Sequence, residues 1–179
     1  MKRSVLLTLF VLFFCITTQA QDSKDIGAKY FIEVSITECK MRLYKIENSS
    51  LQLVKEYQVG TVKKGKKDFP LGKGVVTEIK YHPEWNPTEN TRKEFAKRGI
   101  ILPDVIPSGH PLNYMGSFKI YLSHTVPGKG AIYRIHGSRK EDEDKIGHRV
   151  SGGCIRMRNA EGEELSRIIT VGTVVNITL

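Results

Sequence analysis

Two side chains in the sequence have the chemistry of a nucleophile and its base, the thiol of Cys154 and the imidazole of His136. An ordinary thiol, with a pKa of about 8.5, is only a few per cent thiolate at neutral pH, so it needs a neighbouring base or positive charge to react. His136 ends a strand-like segment 18 residues before Cys154, and Gly152 and Gly153 permit a tight turn and close approach of a ligand. These residues predict a cysteine nucleophile that is activated by a histidine.

The residue types alone leave a structural role for this pair open. A lone cysteine is more often a small buried hydrophobic residue than a nucleophile. Neither a metal nor a cofactor is predicted, although Cys154, His136 and His148 offer the ligand types of a zinc site. Cys39 falls on a predicted turn and is expected to be a bystander, with a disulfide to Cys154 as the alternative that would disable the thiol.

The first twenty residues predict a secretory signal. Lys2 and Arg3 precede an apolar run over residues 5–16, and small residues at Thr18 and Ala20 favour cleavage after Ala20. The run of about 12 residues is shorter than the roughly 20 that span a bilayer, and an uncleaved anchor is the alternative. We therefore expect one exported domain over residues 21–179, located in the periplasm or at the cell wall.

The charge of the chain is consistent with an anionic environment outside the cell. The formal net charge is +9, and loss of Lys2 and Arg3 leaves +7. A basic exported domain suits an anionic surface such as a cell wall or membrane headgroups. No dense Lys/Arg run with interleaved aromatic residues is present, so nucleic acid is not expected as a partner. A monomer is expected.

The elements that must position the pair are mostly strands. The alternation of apolar and polar residues predicts strands over 30–36, 41–46, 51–59, 75–80, 117–123, 131–136 and 173–179. In the third of these, Leu51, Leu53, Tyr57 and Val59 are predicted to share one face.

Two short helices complete the prediction. One covers residues 88–98, inside a proline-rich loop over 81–111, with Thr88 as its N-cap. The other begins at Asn159, which is predicted to cap it. The predicted fold class is therefore mostly β, with two short helices.

The sequence around the pair resembles the signature of a known enzyme family. His136-Gly137, a gap, and Ser-Gly-Gly-Cys-Ile-Arg over 151–156 closely resemble the signature of the YkuD-type L,D-transpeptidases. Residues 69–72, 113–116 and 102–109 are similar to further elements of this family, in its ErfK/YbiS-type branch. The resemblance covers residues 30–179 and implies a β-sandwich with a few short helices.

The resemblance also implies a reaction. Cys154 would attack the carbonyl between the third and fourth residues of a peptidoglycan stem peptide, releasing D-alanine and leaving a thioester. His136 would take the thiol proton and pass it to the leaving amine, while the backbone carbonyl of Gly137 orients the ring. An amine of a second stem, or of an acceptor protein, would then resolve the thioester. An activated thiol of this kind is expected to be alkylated at a lower pH than an ordinary one.

Further site residues follow from the same resemblance. The N–H groups of Gly153 and Cys154 would form the oxyanion hole, and Arg156, Ser138 and Ser151 would contact the substrate. Resolution of the thioester by water, which gives an L,D-carboxypeptidase or a crosslink-cleaving hydrolase, remains the alternative, as does a non-catalytic wall-binding domain. The sequence does not separate these functions.

Overall fold

The computed structural model describes residues 29–179, and the predicted signal over residues 1–20 lies outside the described residues. Within this part the chain forms ten strands and two α-helices, with one 3-10 helix over Lys140–Lys145. In chain order the elements are β1 (Tyr30–Ser35), β2 (Lys40–Glu47), β3 (Ser50–Gln58), β4 (Thr61–Val62), β5 (Gly72–Tyr81), α1 (Glu89–Ala96), β6 (Phe118–Leu122), β7 (Arg134–His136), β8 (Arg149–Ser151), β9 (Ile155–Arg156), α2 (Asn159–Ile168) and β10 (Val174–Thr178).

One large sheet dominates the architecture. Eight strands pair in the order β3-β2-β1-β10-β5-β6-β7-β9, and β4 pairs with β8 in a small second sheet. The pairs β1–β10 and β7–β9 are parallel, whereas the other neighbours in the large sheet are antiparallel. The predicted mostly-β class is confirmed.

The large sheet curls until its two ends meet. Gly60, just beyond the edge strand β3, exchanges two backbone hydrogen bonds of 2.8 Å with Arg156 in β9, the strand at the opposite edge. The inner face then encloses one apolar core, in which Ile120, Ile135 and Ile155 are at most 3% exposed. Because these isoleucines lie side by side in register, alternate residues of the same strands must face outward.

Two strand predictions are wrong in detail. Strand β7 begins at Arg134 instead of residue 131, because the Arg134 side chain binds the carbonyls of Ala131 and Tyr133 after a tight turn. Leu51 and Leu53 in β3 are more than half exposed, although Tyr57 and Val59, the latter just after β3, are buried. A register shift in the β2–β3 pairing falls between these two groups, so the single shared face is lost.

The proline-rich loop has a small core of its own. Trp85, Phe95 and Ile106 pack in a second apolar cluster beneath α1, and the Thr88 hydroxyl accepts the N–H of Thr91 at 3.2 Å. The Thr88 cap is therefore confirmed. The amide of Asn113 donates to three backbone carbonyls and accepts a fourth bond, which fixes the return of the loop to β6. No helix in residues 29–179 is long and apolar enough to cross a membrane.

Candidate active site

The pairing of β7 with β9 determines which side chains share the outer face of the sheet. The two strands are parallel, with Ile135 opposite Ile155 and His136 opposite Arg156. Since the isoleucines face the core, His136 and Arg156 face outward, and the same alternation applied to Cys154, two residues before Arg156 and just outside β9, predicts an outward side chain. Neighbouring strands lie about 4.8 Å apart and rise about 3.3 Å per residue, so the Cα atoms of His136 and Cys154 are roughly 8 Å apart along a diagonal. At this Cα separation the side chain of a histidine is long enough to bring its ring close to a cysteine sulfur.

The imidazole of His136 is held in one orientation. His136 is 2% exposed, and the Nδ1 of its ring lies 2.7 Å from the carbonyl oxygen of Gly137. A carbonyl only accepts, so Nδ1 carries the proton and Nε2 is left as the acceptor. Burial, with the charges of Arg156 and Lys119, lowers the pKa of His136 to about 3, although the bond to Gly137 opposes this shift. The ring is therefore neutral at physiological pH.

The thiol of Cys154 is also neutral at rest. Cys154 is half-buried and forms no disulfide with Cys39, the other cysteine among residues 29–179. Burial raises the pKa of the Cys154 thiol, against the opposing effects of the Arg134 backbone N–H and of the charges of Arg156, Arg134 and Lys119. The resting pair is a thiol beside a neutral base rather than a thiolate–imidazolium ion pair. Alkylation at unusually low pH is thus not expected of this structure, contrary to the interpretation from sequence.

The glycine turn before Cys154 is supported from two sides. Gly153 has φ of +141°, and a Cβ at this position would overlap the ring of Tyr133. The phenol of Tyr133 donates to the carbonyl of Asp68 at 2.7 Å, and the Gly153 N–H donates to Ser151 Oγ at 3.0 Å. Only glycine fits this position, both because of its backbone conformation and because of the ring packed against it.

This turn bears on three predicted site residues. The Gly153 N–H is already bonded, whereas the Cys154 N–H has no partner among the described residues and is the freer of the two predicted oxyanion donors. Ser151 is 1% exposed and its hydroxyl accepts the Gly153 N–H, so it supports the turn. The oxyanion roles and the substrate contact of Ser151 stay predictions.

A cleft of about 440 Å³ is lined by His82, His110, Ser117 and Ser138, the residue after Gly137, among others. The hydroxyls of Ser117 and Ser138 are buried and have no hydrogen-bond partner among the described residues. Neither Cys154 nor His136 lines this cleft, so it borders the candidate site without containing it. The Nε of Arg156 is likewise buried and has no partner within residues 29–179. No group of three or more potential ligands in residues 29–179 could hold a metal ion, which leaves the zinc alternative without support.

Asn159 is a site residue that the sequence interpretation misplaced. The residue preceding α2 is Arg158, and the Asn159 side chain caps nothing. Its Oδ1 instead accepts the N–H groups of Ser117 and Ser138 at 3.0 and 3.3 Å, and its Nδ2 donates to the Ser138 carbonyl at 2.7 Å. These bonds fix the backbone beside Gly137, whose carbonyl orients His136. An asparagine at a helix start matches the capping pattern equally well, so the sequence carries no signal for this role.

We predict that Asn159→Ala lowers the free energy of unfolding by about 3 kcal/mol, since three bonds of roughly 1 kcal/mol each are lost. Urea denaturation measures this change. Asn90→Ala, at an exposed position of α1, is the matched control and should stay within about 0.5 kcal/mol of the wild type. Equal stability of the two variants would contradict the structural role of Asn159.

The fold and the site together define a strand-rich domain that presents a cysteine, a neutral histidine and a glycine turn on one face of a curled sheet. Residues 29–177 match the family model YkuD, described as the L,D-transpeptidase catalytic domain. The chain belongs to this family, and the resemblance deduced from the sequence is confirmed.

Curated relatives support the same assignment. The chain is 36% identical over 147 residues to the probable L,D-transpeptidase ErfK/SrfK of Escherichia coli strain K12, covering 82% of this chain and 43% of the relative. It is 34% identical over 141 residues to the probable L,D-transpeptidase YbiS of the same strain, covering 78% and 42%. The chain thus spans less than half the length of the curated relatives that it matches.

A solved structure shares the fold. L,D-transpeptidase 3 from Mycobacterium tuberculosis, in complex with a faropenem-derived adduct, superposes with a TM-score of 0.56 at 14% identity, covering 86% of this chain and 61% of that one. At this identity the likeness concerns the fold alone.

Proposed function

We propose that this domain is a peptidoglycan L,D-transpeptidase that works through a thioester on Cys154. The observation that carries the proposal is the register of β7 and β9, which pairs His136 with Arg156 and so brings Cys154, two residues before Arg156, near an imidazole whose Nδ1 is held by the Gly137 carbonyl. Because Nδ1 is bonded to this carbonyl, Nε2 is the basic nitrogen that is left to accept a proton. A locked neutral imidazole beside a thiol is the arrangement that general-base activation of a nucleophile requires.

The reaction begins with a proton transfer. As Cys154 Sγ attacks the carbonyl between the third and fourth residues of a stem peptide, Nε2 of His136 takes its proton. The Cys154 N–H stabilises the developing oxyanion, and Arg156 stabilises negative charge near it. His136 then protonates the leaving D-alanine amine, and an acyl thioester remains. Because free thiol and free imidazole are both neutral at rest, no ion pair has to be broken before attack.

An amine completes the transfer. A side-chain amine of a second stem, or of an acceptor protein, attacks the thioester and regenerates the thiol, so the products are 3–3 crosslinks or an anchored protein. Ser138 lines the adjoining cleft, and its buried hydroxyl, which has no hydrogen-bond partner among residues 29–179, is assigned to the substrate contact that the family resemblance implies. This activity belongs in the periplasm or at the cell wall, in keeping with the predicted signal over residues 1–20 and the net charge of +9.

Hydrolysis is the second candidate, because Cys154 is half-buried and water can reach a thioester at such a position. The same thioester resolved by water makes the domain an L,D-carboxypeptidase or a crosslink-cleaving hydrolase. A non-catalytic wall-binding domain is the third, and it is disfavoured by the orientation of His136, which a binding role does not need.

The distinguishing experiment is incubation of the protein with a disaccharide-tetrapeptide, followed by mass spectrometry of the products. We expect a crosslinked dimer and released D-alanine. Tripeptide without dimer would instead establish the hydrolase. The Cys154→Ala variant is the matched control. If the wild type leaves the tetrapeptide unchanged but binds measurably to wall fragments, both enzymatic functions are overturned.

A further inference from the structure

The outer face that holds Cys154 and His136 continues onto β6 and β5. In the register of the sheet, Lys119 lies opposite His136, and Tyr121 lies opposite Arg134. The ring of Tyr121 is approached by Arg134 at 4.6 Å, by Lys119 at 5.0 Å and, from β5, by Lys80 at 5.4 Å. Three cations thus surround one aromatic ring, a group that we call the Tyr121 cluster.

Two of the three cations of the Tyr121 cluster have no ion-pair partner in the described part of the chain. Lys80 pairs with Glu78 at 3.2 Å, but Lys119 and Arg134 form no ion pair with any residue of 29–179. Lys80 and Lys119 also face each other directly across β5 and β6, an arrangement of like charges that destabilises a sheet. An anion bound between Lys119 and Arg134 would remove this repulsion.

The guanidinium of Arg134 is held ready for such an anion. One of its nitrogens, Nη1, donates to the carbonyls of Ala131 and Tyr133, and its Cζ lies over the Tyr121 ring. The remaining N–H groups have no partner among the described residues. A rigid guanidinium with free donors next to a lysine is a typical carboxylate-binding pair.

We propose that Lys119 and Arg134 form the subsite for the C-terminal carboxylate of the acyl donor, the group that departs with the leaving amino acid. This inference rests on the proposed function and names the group that selects its donor. It makes Lys119 and Arg134 specificity-determining residues, which would restrict cleavage to a bond followed by one residue with a free acid.

The distances in the sheet suit this carboxylate. One residue of peptide spans about 3.3–3.6 Å, and neighbouring strands are about 4.8 Å apart. Arg134 lies on the strand next to Cys154, and Lys119 lies one strand further, opposite His136. A carbonyl at Cys154 Sγ, with its leaving amine at His136, therefore places the carboxylate of the last residue over these two cations.

The test compares two donor peptides that differ only in their last group. One tetrapeptide ends in a free carboxylate and the other in a carboxamide, and kcat/KM is measured for each. We expect the wild type to prefer the acid, and Lys119→Gln or Arg134→Gln to reduce the acid-to-amide ratio by about 10- to 100-fold, the value of a hydrogen bond to a charged group. Because both peptides meet the same thiol, the ratio is independent of any change in the reactivity of Cys154.

Matched variants separate recognition from general charge. Lys80→Gln removes a cation that is already paired with Glu78 and should leave the ratio unchanged. Lys119→Arg keeps the charge and should retain most of the preference, which a purely structural role of Lys119 would not predict. The inference is overturned if the acid-to-amide ratio is undiminished in Lys119→Gln and Arg134→Gln, or if the wild type shows no preference. Failure of the wild type to cleave either peptide would instead count against the proposed function itself.

Discussion

Replacement of Cys154 by alanine is expected to remove acyl transfer, with a fall in kcat/KM of about 10⁴-fold or more. No other thiol among residues 29–179 reaches the outer face of β7 and β9, since Cys39 is 4% exposed and its Sγ lies 3.3 Å from Thr61 Oγ1. Without Cys154, the neutral imidazole of His136 still accepts protons but has no nucleophile to activate. Turnover of the tetrapeptide, measured by released D-alanine, reports this loss.

A covalent probe tests the same sulfur directly. The β-lactam ring of a penem such as faropenem opens when a nucleophile attacks it, and the product stays attached to that nucleophile. The wild type should therefore gain one adduct by intact-mass measurement. Cys154→Ala should gain none, and Cys39→Ser should react as the wild type does. An adduct on Cys154→Ala, or loss of the adduct in Cys39→Ser, would show that Cys154 is not the nucleophile.

The parts of the fold that depend on local pattern were accessible from the sequence. The strands over 41–46 and 75–80 are found within longer observed strands, because alternation along a chain reports burial on one face of a sheet. The cap of α1 at Thr88 was equally accessible, since a capping hydroxyl acts on a backbone group three residues away. In both cases the information lies within a few residues.

Features that depend on distant contacts were not accessible in this way. The register shift that exposes Leu51 and Leu53 arises between two strands, and the bonds of Asn159 reach back 42 residues to Ser117. The proposal that Cys154 and His136 act as a pair comes from their motif. Their protonation states could not be predicted from it, because burial depends on the whole sheet that surrounds them.

Replacement of His136 by glutamine is expected to lower kcat/KM by about 10²- to 10⁴-fold, the usual contribution of a positioned general base. Glutamine can keep a hydrogen bond to the Gly137 carbonyl but accepts no proton from Cys154. The pKa of His136 is lowered to about 3, so the wild-type rate should show no acidic decline near pH 6.5 and should persist to about pH 5. A decline of the wild-type rate centred near pH 6.5 would mean that the imidazole is not buried as described.

The same pKa makes His136 a source of acid instability. Above pH 6.5 neither the folded nor the unfolded chain protonates this ring, so its contribution is constant. As the pH falls from 6.5 toward 3, the unfolded chain binds a proton that the folded chain excludes, and stability is lost at up to about 1.4 kcal/mol per pH unit. Between pH 7.5 and pH 5 the wild type should therefore lose about 2 kcal/mol more than His136→Gln, which has no titrating ring. Urea denaturation of both proteins at the two pH values measures this difference. Equal losses of stability in the two proteins would show that His136 is protonated as readily in the folded state as in the unfolded one.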